Sequence, residues 1–213
     1  MTTATTTRPN YHHGDLRQAL LAAGIELARG GGPDAVVLRE ATRRAGVSPN
    51  AAYRHFADRD ALLSAVSDAA LAELATAIDA RFDAIPEGDP ARAARAQLRA
   101  VGTGYVAFAL DNPGLFHAAF VVHSDLDNAS SPATSGPSGR SPLELLGVAL
   151  NQLVASGVMP AERRPQAEFL AWSSVHGVAL LLIDGPLRFL PRAEADALTQ
   201  RVIDMVDAGL TCS

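Results

Sequence analysis

Apolar residues recur with the 3.6-residue period of a helix almost throughout the chain, and no run shows the turn-bounded apolar/polar alternation of a half-buried strand. The expected fold class is therefore all-α. Leu16, Leu20, Ala23 and Leu27 set out a first helix, which Gly30-Gly31-Gly32-Pro33 must end. A short helix over 37–45 follows, then a turn at Gly46-Val47-Ser48 and a second short helix over 49–55 with proline at its first position. Asp58 is a good N-cap for a long helix bearing Leu62, Val66, Ala70, Leu74 and Ile78, after which Pro86, Gly88 and Pro90 break the chain. Next come a helix over 91–110 with Leu98, Val101, Tyr105 and Phe108 on one stripe, a restart at Asn112-Pro113, and a short aromatic helix with Leu115, Phe116 and Phe120. Ser, Pro, Gly, Asp and Asn dominate residues 123–141, where no apolar period survives and a mobile loop is expected. Ser141-Pro142-Leu143-Glu144 has the form of a capping box for a helix carrying Leu146, Leu150 and Leu153 and stopped by Gly157. Two final helices are expected over 165–184 and 193–208, and no repeat of solenoid length is visible.

Composition narrows the class. The 213 residues are 48% apolar and 19% charged, enough to bury a core without staples, and every one of the 18 basic residues is arginine. The net charge of −5 divides unevenly: residues 1–60 hold eight Arg against six acids (+2), and 61–213 ten against seventeen (−7). A slightly basic head on an acidic body suggests that one end meets phosphate. The expected division is an N-terminal arm and head over 1–60 and a helical body over 61–213. The lone Cys212 excludes a disulfide framework, a thiolate zinc site and a CxxC redox pair. The Thr-rich opening has no apolar core of a signal peptide, and the apolar charge-free run 169–183 is fifteen residues where a bilayer needs about 20, so no membrane partner and a cytoplasmic location are expected.

Short helices ahead of a long one, with Ala41 and Gly46 small where two helices cross, fit a helix-turn-helix head. The helix over 38–45 crosses the DNA backbone, Gly46 takes the left-handed turn conformation, and the helix over 49–55 enters the major groove. The run Tyr11-His12-His13-Gly14-Asp15-Leu16-Arg17, then Leu38-Arg39-Glu40-Ala41, Ala45-Gly46-Val47-Ser48, Tyr53-Arg54-His55-Phe56 and Leu62-Leu63, resembles the DNA-binding domain of the tetracycline-repressor (TetR) family over roughly residues 11–65. The resemblance implies that Tyr53 and His55 donate to phosphates, with Arg39, Arg43, Arg44 and Arg54 beside them. It places Ser48, Pro49, Asn50 and Ala51 toward base edges, where an asparagine can pair bidentately with adenine and a small apolar side chain can touch a thymine methyl. Arg59 stands where family members usually carry lysine and keeps the charge for the phosphate contact the resemblance implies, whereas Val37 stands where a serine or threonine is common, so one capping and phosphate-binding hydroxyl is missing. His12-His13 lacks the nearby Cys or paired carboxylates that could enclose a cation, so neither a metal nor another cofactor is expected.

In the body, the helix over 165–184 is apolar on two sides. Phe169, Trp172, His176, Leu180 and Ile183 form one stripe; Leu170, Ser173, Gly177 and Leu181 form another, which with Leu198, Val202, Met205 and Val206 of the last helix is expected to make a homodimer interface. Trp172 and His176-Gly177 resemble the Trp/His-Gly signature of one C-terminal domain type of the TetR family. Tyr105, Phe108, Phe116, His117, Phe120, Met159, Trp172 and His176 are the candidates for a pocket taking an apolar small-molecule effector, the alternative being a filled core. No nucleophile elbow, phosphate loop, HExxH or Cys–His pair is present, so no enzymatic activity is expected. The expected function is that of a sequence-specific transcriptional regulator, a small-molecule-responsive repressor binding a palindromic operator as a homodimer. The rival is a helical ligand-binding or scaffold protein without DNA binding.

Overall fold

The computed structural model describes residues 13–121 and 131–212; the expectations for the side chains of residues 11–15 and for loop residues 123–130 lie outside the described residues. Among those residues the chain forms nine α-helices and no strand: α1 (His13–Gly31), α2 (Leu38–Ala45), α3 (Pro49–Ala52), α4 (Arg59–Asp83), α5 (Pro90–Asp111), α6 (Pro113–Val121), α7 (Pro142–Ala155), α8 (Ala167–Ile183) and α9 (Arg192–Thr211). The helix boundaries follow local chemistry. The Asp58 carboxylate accepts from Ala61 N–H at 2.8 Å, Asp89 from Arg92 N–H at 2.9 Å, and Ser141 and Glu144 close the anticipated capping box at 3.3 and 2.7 Å. Each such cap contributes about 0.5–2 kcal/mol by satisfying a backbone N–H that the helix leaves open.

α1, α2 and α3 form the head, but its core is completed from beyond residue 60. Leu62 and Val66 of α4 press on α1 so closely that a Cβ on Gly24 would stand 2.8 Å from a Val66 methyl. α4 then runs on into the body, burying Ala70, Leu71, Leu74 and Ile78 among α5, α6 and α7. By length and composition α4 could cross a bilayer, but half of its apolar window is buried in the protein core.

The described part of residues 123–141, expected as a mobile loop, contains local structure. Pro132–Thr134 forms a 3-10 turn, Thr134 and Ser141 are fully buried, and Ser138 N–H donates to the buried Asp79 carboxylate of α4 at 3.1 Å. Buried hydroxyl residues and a hydrogen bond to an acid on α4 hold this segment, so apolar periodicity carried no trace of it.

α6 docks on both α1 and α4. Its Gly114 lies against the end of α1, where a Cβ would stand 2.3 Å from the Ala28 carbonyl oxygen, and only glycine allows that approach. The Arg29 guanidinium donates to both oxygens of Glu73 on α4 at 3.1 and 3.0 Å and to Asn112 just before α6. The buried Ser67 hydroxyl of α4 donates to the Ala119 carbonyl of α6 at 2.9 Å.

Candidate functional site

In the head, α2 buries Leu38, Ala41 and Thr42, and Gly46 follows at φ 67°, ψ 30°, the left-handed geometry expected of it. That turn redirects the chain into α3, whose N-cap Ser48 accepts from Ala51 N–H at 3.3 Å. Regular α3 ends at Ala52 rather than near residue 55. Tyr53, Arg54 and His55 continue as turns bonded back to Pro49, Ala51 and Ala52, a tightening that swings the buried Phe56 into the core beneath the Arg17 guanidinium, 5.3 Å from its ring. The outward surface of the turn and of α3 therefore presents Ser48, Pro49 and Asn50, with Ala51 half-buried, followed by exposed Tyr53 and Arg54 and half-buried His55. Tyr53 is 58% exposed, a large aromatic surface left in water.

The arginines differ in freedom. Arg39 is exposed, whereas Arg43 donates to both oxygens of Glu40 at 2.9 and 2.7 Å and Arg44 to one at 3.2 Å. These hydrogen bonds pull the Glu40 carboxyl down to about 2, so an arriving phosphate must compete with a fully ionised partner. The spacing of Glu40 to Arg43 and Arg44, three and four residues, was a readable signal for this network that the motif-based reading left unused. Arg59 is committed elsewhere: its guanidinium donates to the Pro33 and Val36 carbonyls at 2.8 and 3.0 Å, tying the α1–α2 connection to the start of α4. That intramolecular role departs from the expected phosphate contact; the Pro33 carbonyl, which already accepts from Val36 N–H at 3.2 Å, takes a second donor, and the Val36 carbonyl, outside any helix, takes one. Val37, at the α2 N-cap, supplies no side-chain cap, as its aliphatic side chain dictates.

In the body, six of the eight expected pocket residues form one ring cluster, with His117 at its edge 6.4 Å from Phe116. Tyr105 stands 5.4 Å from Phe116, edge to face, and 6.1 Å from Phe120, while the His176 ring lies 5.6 and 5.1 Å from Phe116 and Phe120. Trp172 joins at 6.2 Å from Phe120. Trp172 Nε1–H donates to the Tyr105 hydroxyl at 3.0 Å, and that hydroxyl lies 2.7 Å from His176 Nδ1. Burial raises the Tyr105 pKa, against the pull of the Trp172 hydrogen bond. Burial lowers that of His176, helped by the nearby charge of His117, which pairs with Asp184 at 3.0 Å. Phe108 and Met159 are buried in the continuous hydrophobic core and take no part in the ring contacts found among the described residues. A separate apolar void of about 20 Å³ lies between α5, α7, α8 and α9, lined by Leu98, Gly102, Leu146, Val175 and Ile203; it has room for about one water and not for an effector.

The two stripes expected on α8 are distributed differently. The core face is a narrow row of Ala167, Ala171, Val175, Val178, Ala179 and Leu182, while Phe169 and Leu180 of the aromatic stripe are exposed and Trp172, His176 and Ile183 are half-buried. Both rows are spaced by three and four residues; what differs is direction, since the row that faces the core lies roughly 130° around the helix from the aromatic row. Of the expected dimer residues, Leu170, Leu181 and Met205 are exposed large apolar side chains, Ser173 is exposed, and Gly177, Leu198, Val202 and Val206 are half-buried; Val206 also lines the apolar void. No group of three metal-ligating side chains exists among the described residues.

A family model described as bacterial regulatory proteins, tetR family, matches residues 20–66, and one described as the tetracyclin repressor-like C-terminal domain matches residues 98–206. Among solved structures, a protein of unknown function from Rhodococcus sp. RHA1 is 28% identical with TM-score 0.75, covering 96% of this chain and 100% of that one. The fold also matches a transcriptional regulator FadR from Bacillus subtilis in complex with stearoyl-CoA (13% identity, TM-score 0.62, 90% and 98% coverage) and a TetR point variant from Acinetobacter baumannii AYE in complex with minocycline (22%, 0.54, 90% and 94%). No curated protein matches.

Proposed function

From the premise that this chain belongs to the tetR family of bacterial regulatory proteins, a family of DNA-binding transcription regulators, we propose that it is a repressor that grips a palindromic operator as a homodimer and releases it when a small molecule occupies the body. The observation that carries the reading is the exposed turn and α3 surface, where Asn50 and Tyr53 stand outward above the left-handed Gly46 turn while Ala41 and Ala52, at the helix crossing, are fully buried. Tyr53, His55, Arg39 and Arg54 hold phosphates and set the register; Ser48, Pro49, Asn50 and Ala51 meet base edges; Arg43 and Arg44 join as Glu40 yields them. The exposed apolar side chains of α8 and α9 support a self-complementary interface that spaces two heads about 34–36 Å apart, one turn of the duplex. Two proteins of the same fold carry stearoyl-CoA and minocycline, which supports an effector with a largely apolar or aromatic body for the ring cluster. Acting on genomic DNA, the protein works in the cytoplasm.

Gel shifts with genomic fragments over a range of salt test the proposal. Retarded complexes whose affinity falls steeply as salt rises are expected, since each neutralised phosphate releases condensed counterions. Binding that ignores salt, or no binding at any concentration, would favour the helical scaffold reading instead.

A further inference from the structure

Trp172 and His176 sit one turn apart on α8 and both reach the hydroxyl of Tyr105 on α5, the indole Nε1–H at 3.0 Å and the imidazole Nδ1 at 2.7 Å. Tyr105 is only 4% exposed, so its hydroxyl proton needs a partner inside the protein. The indole can only donate. If Nδ1 also donated, the hydroxyl would receive two protons and its own would be stranded. The satisfied arrangement runs from indole N–H to phenol oxygen and from phenol O–H to Nδ1, which leaves the imidazole neutral with its proton on Nε2. Charging the ring would strand the same hydroxyl proton, and burial, with His117 close to the ring, acts in the same direction. Among the described residues Nε2 has no hydrogen-bond acceptor, and the half-buried ring is flanked by Phe120 at 5.1 Å and Trp172 at 6.2 Å.

We propose that the Nε2–H of His176 is a fixed donor for the acceptor oxygen of a neutral aromatic carbonyl compound seated against Phe120 and Trp172, and that Tyr105 is the positioning residue that keeps the proton on that nitrogen. The ring surroundings favour an aromatic body, and they penalise a carboxylate, whose charge would lose its water there. The His117 imidazole beside the site already has the Asp184 carboxylate 3.0 Å from its Nε2. The biological use of the site rests on the regulator reading; its chemistry does not.

The chain's single tryptophan gives one indole N–H resonance, a reporter inside the site. In the ¹⁵N-labelled full-length protein near neutral pH, long-range nitrogen–proton correlation should show His176 as the Nε2–H tautomer, assigned by its loss in His176→Gln, and a mixed tautomer in Tyr105→Phe. Titration with acetophenone should move the indole resonance saturably. Its binding should be about tenfold tighter than that of α-methylstyrene, which replaces the carbonyl oxygen by CH₂, as one hydrogen bond allows. That preference should vanish in His176→Phe and shrink in Tyr105→Phe. A charged or Nδ1–H imidazole in the wild type, equal affinity for both probes, tighter binding of benzoate, or no saturable shift would each overturn the proposal. Gel shifts on the same samples separate the two readings, because loss of DNA binding with the tautomer and probe results intact removes the regulator and leaves the site.

Discussion

Tyr53 offers the cleanest separation of holding DNA from reading it, because its exposed ring has little packing to lose. Tyr53→Phe should leave thermal stability within about 0.5 kcal/mol of the wild type while weakening operator and random DNA by the same factor. Asn50→Ala should instead lose about 1–3 kcal/mol at one base pair only; competition gel shifts against operators mutated one position at a time check both, and a uniform loss for Asn50→Ala would end its reading role. His176 carries a pH prediction whose sign follows from its lowered pKa. The unfolded chain takes up a proton near the ordinary 6.5 and the native ring resists it, so the stability tied to the neutral ring is complete above that pH and drains away as pH falls toward the lower native value. Urea midpoints of wild type and His176→Gln, measured at pH values on either side of 6.5, should show the variant losing less on acidification; an equal loss would mean the imidazole is not held neutral. At this scale the sequence disclosed which side chains are outward on the head, since Asn50, Tyr53 and Arg54 follow a glycine turn and cannot all be core. It did not disclose that Arg59 faces two carbonyls, because those carbonyls belong to residues more than twenty positions earlier.

Helix ends were legible wherever the capping chemistry is local: Asp58, Ser141 with Glu144, and Gly46 act on neighbours within three or four residues. The anchored stretch after residue 130 was not, because Asp79, which holds it, lies on another helix. α6 is the element on which most depends, joined to α1 at Gly114, to α4 through Ser67, and through Phe116 and Phe120 to the ring cluster. Gly114→Ala forces a methyl onto the Ala28 carbonyl, a backbone atom with no side chain to swing away. A loss of about 1–3 kcal/mol is expected, the usual cost of overpacking, read from the urea midpoint at unchanged slope. Stability equal to the wild type would show that α6 does not bear on α1 in solution. Leu182→Ala, on the row of α8 that does face the core, should cost about 2–5 kcal/mol, and Leu180→Ala, on the exposed stripe of the same helix, about 0.5 kcal/mol or less.

For the whole molecule, the exposed leucines and Met205 of α8 and α9 make the assembly testable without any ligand. Leu170→Glu combined with Met205→Glu should leave the monomer folded, since neither side chain is buried within it, and should shift the sedimentation of the protein from dimer to monomer. Operator affinity should then fall by a factor of about 100 or more, as the two half-sites are no longer bound together; an unchanged dimer would place the interface elsewhere. What the amino-acid order determined alone was whatever has a local cause: helical period, caps, breakers, the left-handed turn, and the outward residues of a four-residue helix too short to hide them. Tertiary structure decided which side of an all-round apolar helix meets the core, which arginines are free, and which rings share a hydroxyl. Those outcomes depend on atoms brought together from distant positions, and a pattern of neighbours along the chain holds no record of them until the helices have packed.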